Sequence, residues 1–242
     1  MARVIAGTVL LAARTTRSQA YIQGLGAAGL LTQELIIYGS PGRAQGTPAG
    51  IASRPLPGVF LPDFTEPIEL NAVRAGWRPR LIDADALDAD ALLGALRGLA
   101  PRLIVFSGYP AQLVPAALTA IAPVLHCHSG ELPRYRGSTT LYYALLDGRQ
   151  PAVTALLVDA GIDSGRIVGM QHYPPPPAGM DIDHVYDGAI RADLLRTVLD
   201  EYDRQQRFPG MRAPSADPGR LHYIVHPVLK HIALASLETT PS

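Results

Sequence analysis

Two histidines separated by a single residue, His126 and His128, lie in the stretch LHCHSGELPRYRG at residues 125–137. In an extended strand alternate side chains share a face, so both imidazoles would point to one side and Cys127 to the other. Imidazole exchanges protons near neutral pH and also binds metal ions. The pair could therefore serve proton transfer or metal binding, or it could be two polar residues at a strand end.

Cys127 is the only cysteine of the chain, which excludes an internal disulfide. On the opposite face of the strand we expect a buried thiol that packs as a small apolar residue and does not act as a nucleophile. The chemistry of this strand would then rest on its histidines.

The composition is that of a chain able to bury a substantial core. Of its 242 residues, 48% are hydrophobic and 17% are charged, and Lys+Arg and Asp+Glu are equal at 21 each. A balanced charge gives no global positive field of the kind that attracts nucleic acid. Because no long uncharged apolar run occurs, we expect a cytoplasmic protein without a membrane span.

The elements that would position the histidines alternate between strands and helices. Apolar runs bounded by chain-breaking residues predict strands at 3–12, 34–39, 101–110, 122–128, 152–160 and 165–173. Helical spacing predicts helices at 17–29, 86–100, 138–146 with Ser138 as N-cap, and 181–203. The Gly- and Pro-rich segment 40–67 predicts an irregular excursion. This order favours an α/β fold with a mainly parallel sheet, where ligands bind at the carboxyl ends of strands. The histidine pair falls at such an end.

The stretches HCHSGELPRYRGSTTLYYALLDG and VDAGIDSGRIV together resemble the formyltransferase fold family. That family uses N10-formyltetrahydrofolate and includes glycinamide ribonucleotide, methionyl-tRNA and sugar-amine formyltransferases. Its usual pattern is Asn-x-His, then Leu-Pro and Arg-Gly, and later an Asp within Gly-x-Asp-x-Gly. His128 falls on the family histidine, and Leu132-Pro133 and Arg136-Gly137 match the two dipeptides. Asp163 lies in the later turn, at residues 161–165.

The resemblance implies a Rossmann-like, mainly parallel sheet flanked by helices, with a catalytic domain at 1–205 and a short C-terminal extension at 206–242 packed on it. It also implies three catalytic residues, His126, His128 and Asp163. His128 would take the proton of an attacking amine, and Asp163 would orient it and favour its protonated form.

His126 stands where the family has an asparagine. In the relatives that this chain resembles, that amide donates a hydrogen bond to the oxygen that becomes negative as the amine attacks the formyl carbon. A fixed donor at such an oxygen contributes roughly 3–4 kcal/mol. A histidine can still donate, and if protonated it would be a charged, pH-dependent donor.

By the same resemblance, N10-formyltetrahydrofolate would lie along residues 106–114 and against residues 159–163, where backbone groups of the family hold the pterin. The positions carried over as cofactor contacts are Phe106, Gly108, Tyr109, Leu113, Ala160 and Gly161.

A metal site is the main alternative for the histidine pair. Two imidazoles with Glu131 or Asp163 would resemble a two-histidine, one-carboxylate site. Because a metal leaves the Leu-Pro and Arg-Gly dipeptides unexplained, we assign no metal here. Asp163 by itself would be an ordinary turn residue, since Gly-x-Asp-x-Gly suits tight backbone geometry.

The expected partner is a small-molecule amine, such as an amino sugar, an amino acid or a biosynthetic intermediate. A tRNA is disfavoured by the balanced charge and by the length after the long helix, about forty residues, where methionyl-tRNA formyltransferases add a nucleic-acid-binding barrel. The sequence leaves open whether the protein forms a homodimer. Residues 219–235, with His226 and His231, predict a packed strand and a turn of helix.

Two further functions fit the same fold. One is a formyltetrahydrofolate hydrolase, which would release formate without an amine. The other is a folate-binding protein that lost catalysis together with its asparagine, although retention of His128 and Asp163 argues against it.

Overall fold

A seven-stranded sheet forms the centre of the computed structural model, which describes residues 2–41, 56–208, 212, 217 and 219–238. The strands are β1 Arg3–Ala13, β2 Leu30–Tyr38, β3 Arg80–Ile82, β4 Leu103–Ser107, β5 Val124–His128, β6 Tyr135–Gly137, β7 Ala152–Leu157, β8 Arg166–His172 and β9 Arg220–His222. The large sheet has the order β3-β2-β1-β4-β5-β7-β8, and β6 and β9 form a separate pair. The first five strands of that order are parallel, whereas β7 and β8 are antiparallel to their neighbours. The predicted mainly parallel α/β fold is therefore confirmed.

Helices cover both faces of this sheet. They are α1 Thr16–Ala27, α2 Ile68–Ala75, α3 Asp90–Leu99, α4 Ala116–Thr119, α5 Thr140–Leu146, a π-helical turn Ile182–Tyr186, α6 Asp187–Gln205 and α7 Pro227–Glu238. In the described part of the chain no helix is both long and apolar enough to cross a membrane.

The central strands are buried on both faces because successive side chains enter two different cores. On β5, Val124 packs with α3 and α4 on one face, while Leu125 and Cys127 pack with α1 and α6 on the other. The same alternation holds on β4, where Ile104 and Phe106 belong to the first core. Continuous apolar runs in the sequence are explained by this double coverage.

Several boundaries differ from the sequence prediction; β2, for example, begins at Leu30 and not at residue 34. Two differences lie close to the histidine motif and α6. Ser138 does not cap α5: the helix follows Thr139, whose φ is 52° and which makes no side-chain cap bond. The backbone N–H of Ser138 instead donates to the carbonyl of His222 at 2.9 Å, so the chain here is held by the tail strand β9. The helix expected at 181–203 begins as the π-helical turn, with Asp181 accepting from the backbone N–H of His184.

The C-terminal segment contains a longer helix and is more exposed than predicted. It contains β9 and a helix of 12 residues, α7, where the sequence indicated only a turn of helix. Tyr223 and Ile224 are each 75% exposed. Pairing of β9 with β6 nevertheless ties this segment to the strand that follows the histidine motif.

The segment predicted as irregular, 40–67, is described in part. Residues 56–67 are irregular, as expected, and residues 42–55 lie outside the described residues. The sequence prediction missed α2 and β3, which follow this segment, and the short elements α4 and β6.

Candidate active site

The carboxyl end of β5 presents both histidines. His128 is its last residue and is only 3% exposed, while His126 remains partly exposed, with its ring 6.1 Å from that of Phe106. Cys127 is buried in the opposite core, and burial raises the pKa of its thiol to about 12. The predicted alternation along this strand, with an unreactive cysteine between the histidines, is therefore observed.

The ring of His128 is held by two groups. Its Nε2 lies 2.6 Å from the carbonyl oxygen of Tyr135, and its Nδ1 lies 3.4 Å from Oδ2 of Asp163. A carbonyl oxygen can only accept, so Nε2 carries the proton and donates. In the neutral ring Nδ1 then carries no proton, and its lone pair faces the carboxylate of Asp163.

Gly130 makes the bond between His128 and Tyr135 possible. A Cβ at this position would lie 2.5 Å from the carbonyl oxygen of Tyr135 and 2.6 Å from Nε2 of His128. Any larger residue would enter the space between donor and acceptor. The glycine two residues after the histidine therefore has a local structural role, one that sequence reasoning did not assign.

Asp163 lies in a loop whose shape comes from its own polar side chains. Asp159 accepts from the backbone N–H of Gly161 at 3.0 Å and from the hydroxyl of Ser164 at 2.6 Å. Asp163 has a φ of 48°, in the left-handed region that aspartate tolerates better than most residues. A Cβ on Gly165 would lie 1.8 Å from the carbonyl oxygen of Leu157, so a glycine is required where the loop enters β8.

The Arg-Gly dipeptide fixes this loop against the histidine strand. Arg136 donates through Nε to the carbonyl oxygen of Ile162 at 2.8 Å, and the backbone N–H of Gly137 donates to Oδ2 of Asp163 at 2.8 Å. That oxygen is also the one that faces His128. Arg136 and Gly137 thus position the carboxylate, which gives the motif a physical reason that its spacing alone did not supply.

A largely buried ion pair on α6 supports the other side of β5. Arg191 donates through Nη1 to the carbonyl oxygen of Cys127 at 2.6 Å and through Nε to Asp187 at 2.9 Å. Asp187 also accepts from the hydroxyl of Ser129. The sequence analysis missed this pair, because an (i, i+4) Asp-Arg spacing on an amphipathic helix is more often a solvent-exposed pair.

Burial lowers the pKa of both imidazoles. For His126 the positive charges of Arg191 and Arg17 add to burial, and the pKa falls well below its ordinary value of 6.5. For His128 burial again dominates, and the opposing influence of Asp163 does not restore the ordinary pKa. Asp163 acts in the expected direction, but burial outweighs it. Both rings are therefore neutral at pH 7, and the charged-donor form considered for His126 is disfavoured.

The arrangement has the parts of a proton-transfer site. One atom each of His126, His128 and Asp163 lie within 4.8 Å of one another. Nδ1 of His128 can accept a proton, and the carboxylate at 3.4 Å would stabilise the imidazolium that results. The neutral ring of His126 can donate one hydrogen bond beside it.

The six positions carried over for the cofactor divide into two groups. Phe106, Gly108 and Tyr109 are buried, and the ring of Tyr109 packs edge-on against Tyr38 with centroids 5.7 Å apart. Leu113 is 67% exposed, and Ala160 and Gly161 are exposed in the Asp163 loop. The side chains of Phe106 and Tyr109 pack in the core, so any contact that this group makes with a ligand would come from its backbone.

Other polar residues singled out from the sequence lie apart from the three-residue cluster. Glu131 lies 3.4 Å from Nε2 of His172, on an exposed surface. His226 and His231 are exposed in the C-terminal segment. Tyr142, on α5, is 3% exposed and donates to Asp183 at 2.8 Å, so its side chain serves packing.

A family model described as formyl transferase matches residues 45–187, more than half of the chain. The chain belongs to the formyl transferase family. The matched range includes the histidine strand, the Arg-Gly dipeptide and the Asp163 loop. It ends at Asp187, where α6 begins.

Comparison with curated proteins finds short stretches of moderate identity. A methionyl-tRNA formyltransferase from Finegoldia magna is 30% identical over 84 residues, which cover 34% of this chain and 27% of that protein. One from Campylobacter curvus is 41% identical over 49 residues, covering 20% of this chain and 16% of that protein. The chain thus matches about a quarter or less of the length of these two relatives.

Solved structures extend the likeness to nearly the whole chain. A sugar N-formyltransferase from a Shewanella species aligns with a TM-score of 0.58 at 16% identity, covering 95% of this chain and 87% of that one. Glycinamide ribonucleotide transformylase 1 from Symbiobacterium toebii aligns with a TM-score of 0.56 at 20% identity, covering 89% and 95%. At these identities the likeness shows the formyltransferase fold, which the sequence resemblance had implied.

Proposed function

We propose that this formyltransferase moves the formyl group of N10-formyltetrahydrofolate to the amine of a small molecule. The observation that carries the proposal is the buried His128 ring, whose Nδ1 faces Asp163 at 3.4 Å beside His126. Membership of the family supports formyl transfer itself.

His128 would act as the base. As the amine nitrogen bonds to the formyl carbon, its proton would pass to Nδ1, the ring nitrogen not engaged with Tyr135. Asp163 would stabilise the imidazolium, and Gly137 would keep that carboxylate in place. The same proton would then go to the folate nitrogen as its bond to the formyl carbon breaks.

His126 would donate a hydrogen bond to the formyl oxygen as it becomes negative. Because its pKa is lowered by burial and by two arginines, the donor would be a neutral N–H. A neutral donor resembles the amide that the family uses at this position, so the histidine would preserve the function of that asparagine.

The folate would contact the exposed residues Leu113, Ala160 and Gly161, and the backbone of the buried positions Phe106, Gly108 and Tyr109. The segment after β4 and the Asp163 loop flank β5, whose end carries the histidines. Calorimetry with 5-formyltetrahydrofolate, a stable mimic, tests this part, and the absence of both heat and thermal stabilisation would count against it.

A small amine fits the chain better than a tRNA does. Lys+Arg and Asp+Glu balance at 21 each, so the chain lacks the net positive charge on which tRNA affinity depends. We also propose a cytoplasmic location, since the chain has a single cysteine and therefore no internal disulfide.

The experiment is incubation with N10-formyltetrahydrofolate and a panel of amino sugars, amino acids and other small amines. Release of tetrahydrofolate and the mass of the product are followed together. A formylated amine formed in step with folate release is the expected result. Formate released at the same rate without any amine would identify a hydrolase instead, and no turnover would favour a binding protein.

A further inference from the structure

The substitution that separates this chain from the family pattern also creates a set of metal ligands. With histidine at 126, two imidazoles and the carboxylate of Asp163 each offer one ligand atom, all within 4.8 Å of one another. An asparagine at 126 would offer only one imidazole and one carboxylate. Two histidines and one carboxylate suit divalent transition metals such as Zn²⁺.

We propose that His126, His128 and Asp163 bind one divalent transition-metal cation of the Zn²⁺ type, and that this cation blocks formyl transfer. The binding part stands on the geometry of this chain alone. The inhibition rests on the proposed function, because it requires His128 to be the base.

The distance between the two central ligands already suits such a cation. Zn–N and Zn–O bonds of about 2.0–2.2 Å in a tetrahedral site place two ligand atoms about 3.3–3.5 Å apart. Nδ1 of His128 and Oδ2 of Asp163 are 3.4 Å apart. The ligand atom of His126 lies within 4.8 Å of the other two ligand atoms. It would therefore move closer by up to about 1.5 Å to complete the site.

Both central ligands are also oriented as metal ligands usually are. A metal-binding histidine commonly donates its second ring N–H to a backbone carbonyl, and the ligating carboxylate is itself hydrogen-bonded. Here Nε2 of His128 donates to Tyr135 at 2.6 Å, and Gly137 donates to Asp163 at 2.8 Å. The two acceptor atoms left over, Nδ1 of His128 and Oδ2 of Asp163, face each other. Because both carry lone pairs, a proton or a cation between them would stabilise this arrangement.

His126 supplies an independent observation. Its Nδ1 is buried and makes no hydrogen bond of ordinary geometry among the residues that the structure describes, although the backbone of Phe106 lies near the ring. An unsatisfied buried nitrogen costs free energy, so a small rotation of the ring toward a cation would carry little penalty. The positive charges of Arg17 and Arg191 oppose binding, but Arg191 is neutralised by Asp187 at 2.9 Å.

Occupation by a cation would remove the base. The lone pair on Nδ1 of His128 would bond to the metal and could no longer accept the amine proton. Catalysis itself would need no metal, so a chelator should leave the activity of metal-free enzyme unchanged and should restore activity lost to Zn²⁺.

Binding is measured on the full chain by titrating Zn²⁺ against a chromophoric chelator, without folate or amine. The ligand variants are His126→Asn and Asp163→Asn. The matched control is His172→Gln, which removes a surface histidine also 3.4 Å from a carboxylate, that of Glu131. Circular dichroism and thermal melting are used to check that each variant is folded.

We expect the parent and His172→Gln to bind one Zn²⁺ alike, and each ligand variant to bind at least about 100-fold more weakly, since even outer-shell changes cost 10- to 100-fold. Absence of one-to-one binding, or parental affinity in folded His126→Asn, would overturn the proposal. In a second arm, Zn²⁺ should inhibit parental transfer reversibly and should inhibit His126→Asn far less. If the chain binds Zn²⁺ but shows no folate-dependent turnover, the metal site is supported and the proposed function is wrong.

Discussion

The substitution Gly130→Ala tests whether the orientation of His128 controls activity. The added Cβ would stand 2.5 Å from the carbonyl oxygen of Tyr135 and 2.6 Å from Nε2 of His128, where ordinary contacts begin at 3.4 Å. Both groups must therefore move away from the new methyl, by about 0.9 Å and about 0.8 Å respectively, given the minimum separation that packed atoms keep. The present bond of 2.6 Å would lengthen to about 3.5 Å, beyond hydrogen-bonding range.

A displacement of about 1 Å in a catalytic group costs on the order of 100-fold in rate. We therefore expect kcat/KM for formyl transfer to fall about 100-fold in Gly130→Ala, equivalent to about 2.7 kcal/mol of transition-state stabilisation. Overpacking at this buried position should also lower the free energy of unfolding by about 1–3 kcal/mol.

Steady-state kinetics and thermal melting check this prediction, with Gly94→Ala as control. Gly94 lies within α3, and a Cβ there meets nothing within 4 Å, so this variant should keep full activity and gain slightly in stability. Parental kcat/KM in Gly130→Ala would refute the reasoning, because the bond between His128 and Tyr135 could then be lost without consequence.

Three further outcomes follow from the same site. His126→Ala should lose about 100-fold or more in kcat while His126→Asn keeps much of it, and equal activity of both variants with the parent would make His126 a bystander. Burial holds the pKa of His128 below 6.5 and Asp163 opposes that shift, so Asp163→Asn should move the acid limb of the kcat/KM profile to lower pH; an upward shift would contradict this. Both imidazoles bind protons more readily in the unfolded chain, so the free energy of unfolding should fall as pH drops below about 6.5, and His126→Asn should weaken that dependence. Denaturant titrations across pH 5–8 measure this effect, which an identical slope in the variant would rule out.

Strand content and face alternation were predictable because continuous apolar runs and period-two spacing report local burial directly. The strands at 101–110 and 122–128 appear as β4 and β5, and Cys127 occupies the face opposite to the histidines. The approach of Asp163 to His128 followed from the family resemblance and not from any local pattern, since 35 residues separate them in the chain.

What the sequence could not show depends on contacts distant in the chain. Ser138 has the residue type of an N-cap, but its backbone is engaged by β9, about 80 residues later. The roles of Gly130 and Arg191 likewise depend on atoms that come close only in the folded chain. The sequence could not show whether the pKa of His128 is raised or lowered, because burial lowers it and the carboxylate of Asp163 raises it. Only the structure shows that the effect of burial is the larger one.

The central claim is that His128, paired with Asp163, performs folate-dependent formyl transfer to an amine. The most direct measurement compares the parent with His128→Ala at saturating N10-formyltetrahydrofolate and amine, quantifying tetrahydrofolate released and formylated amine formed. Binding of 5-formyltetrahydrofolate serves as the check that the variant still forms its site. The account predicts one formylated amine per tetrahydrofolate in the parent and loss of both products in a variant that still binds the mimic. Undiminished transfer by His128→Ala would contradict it.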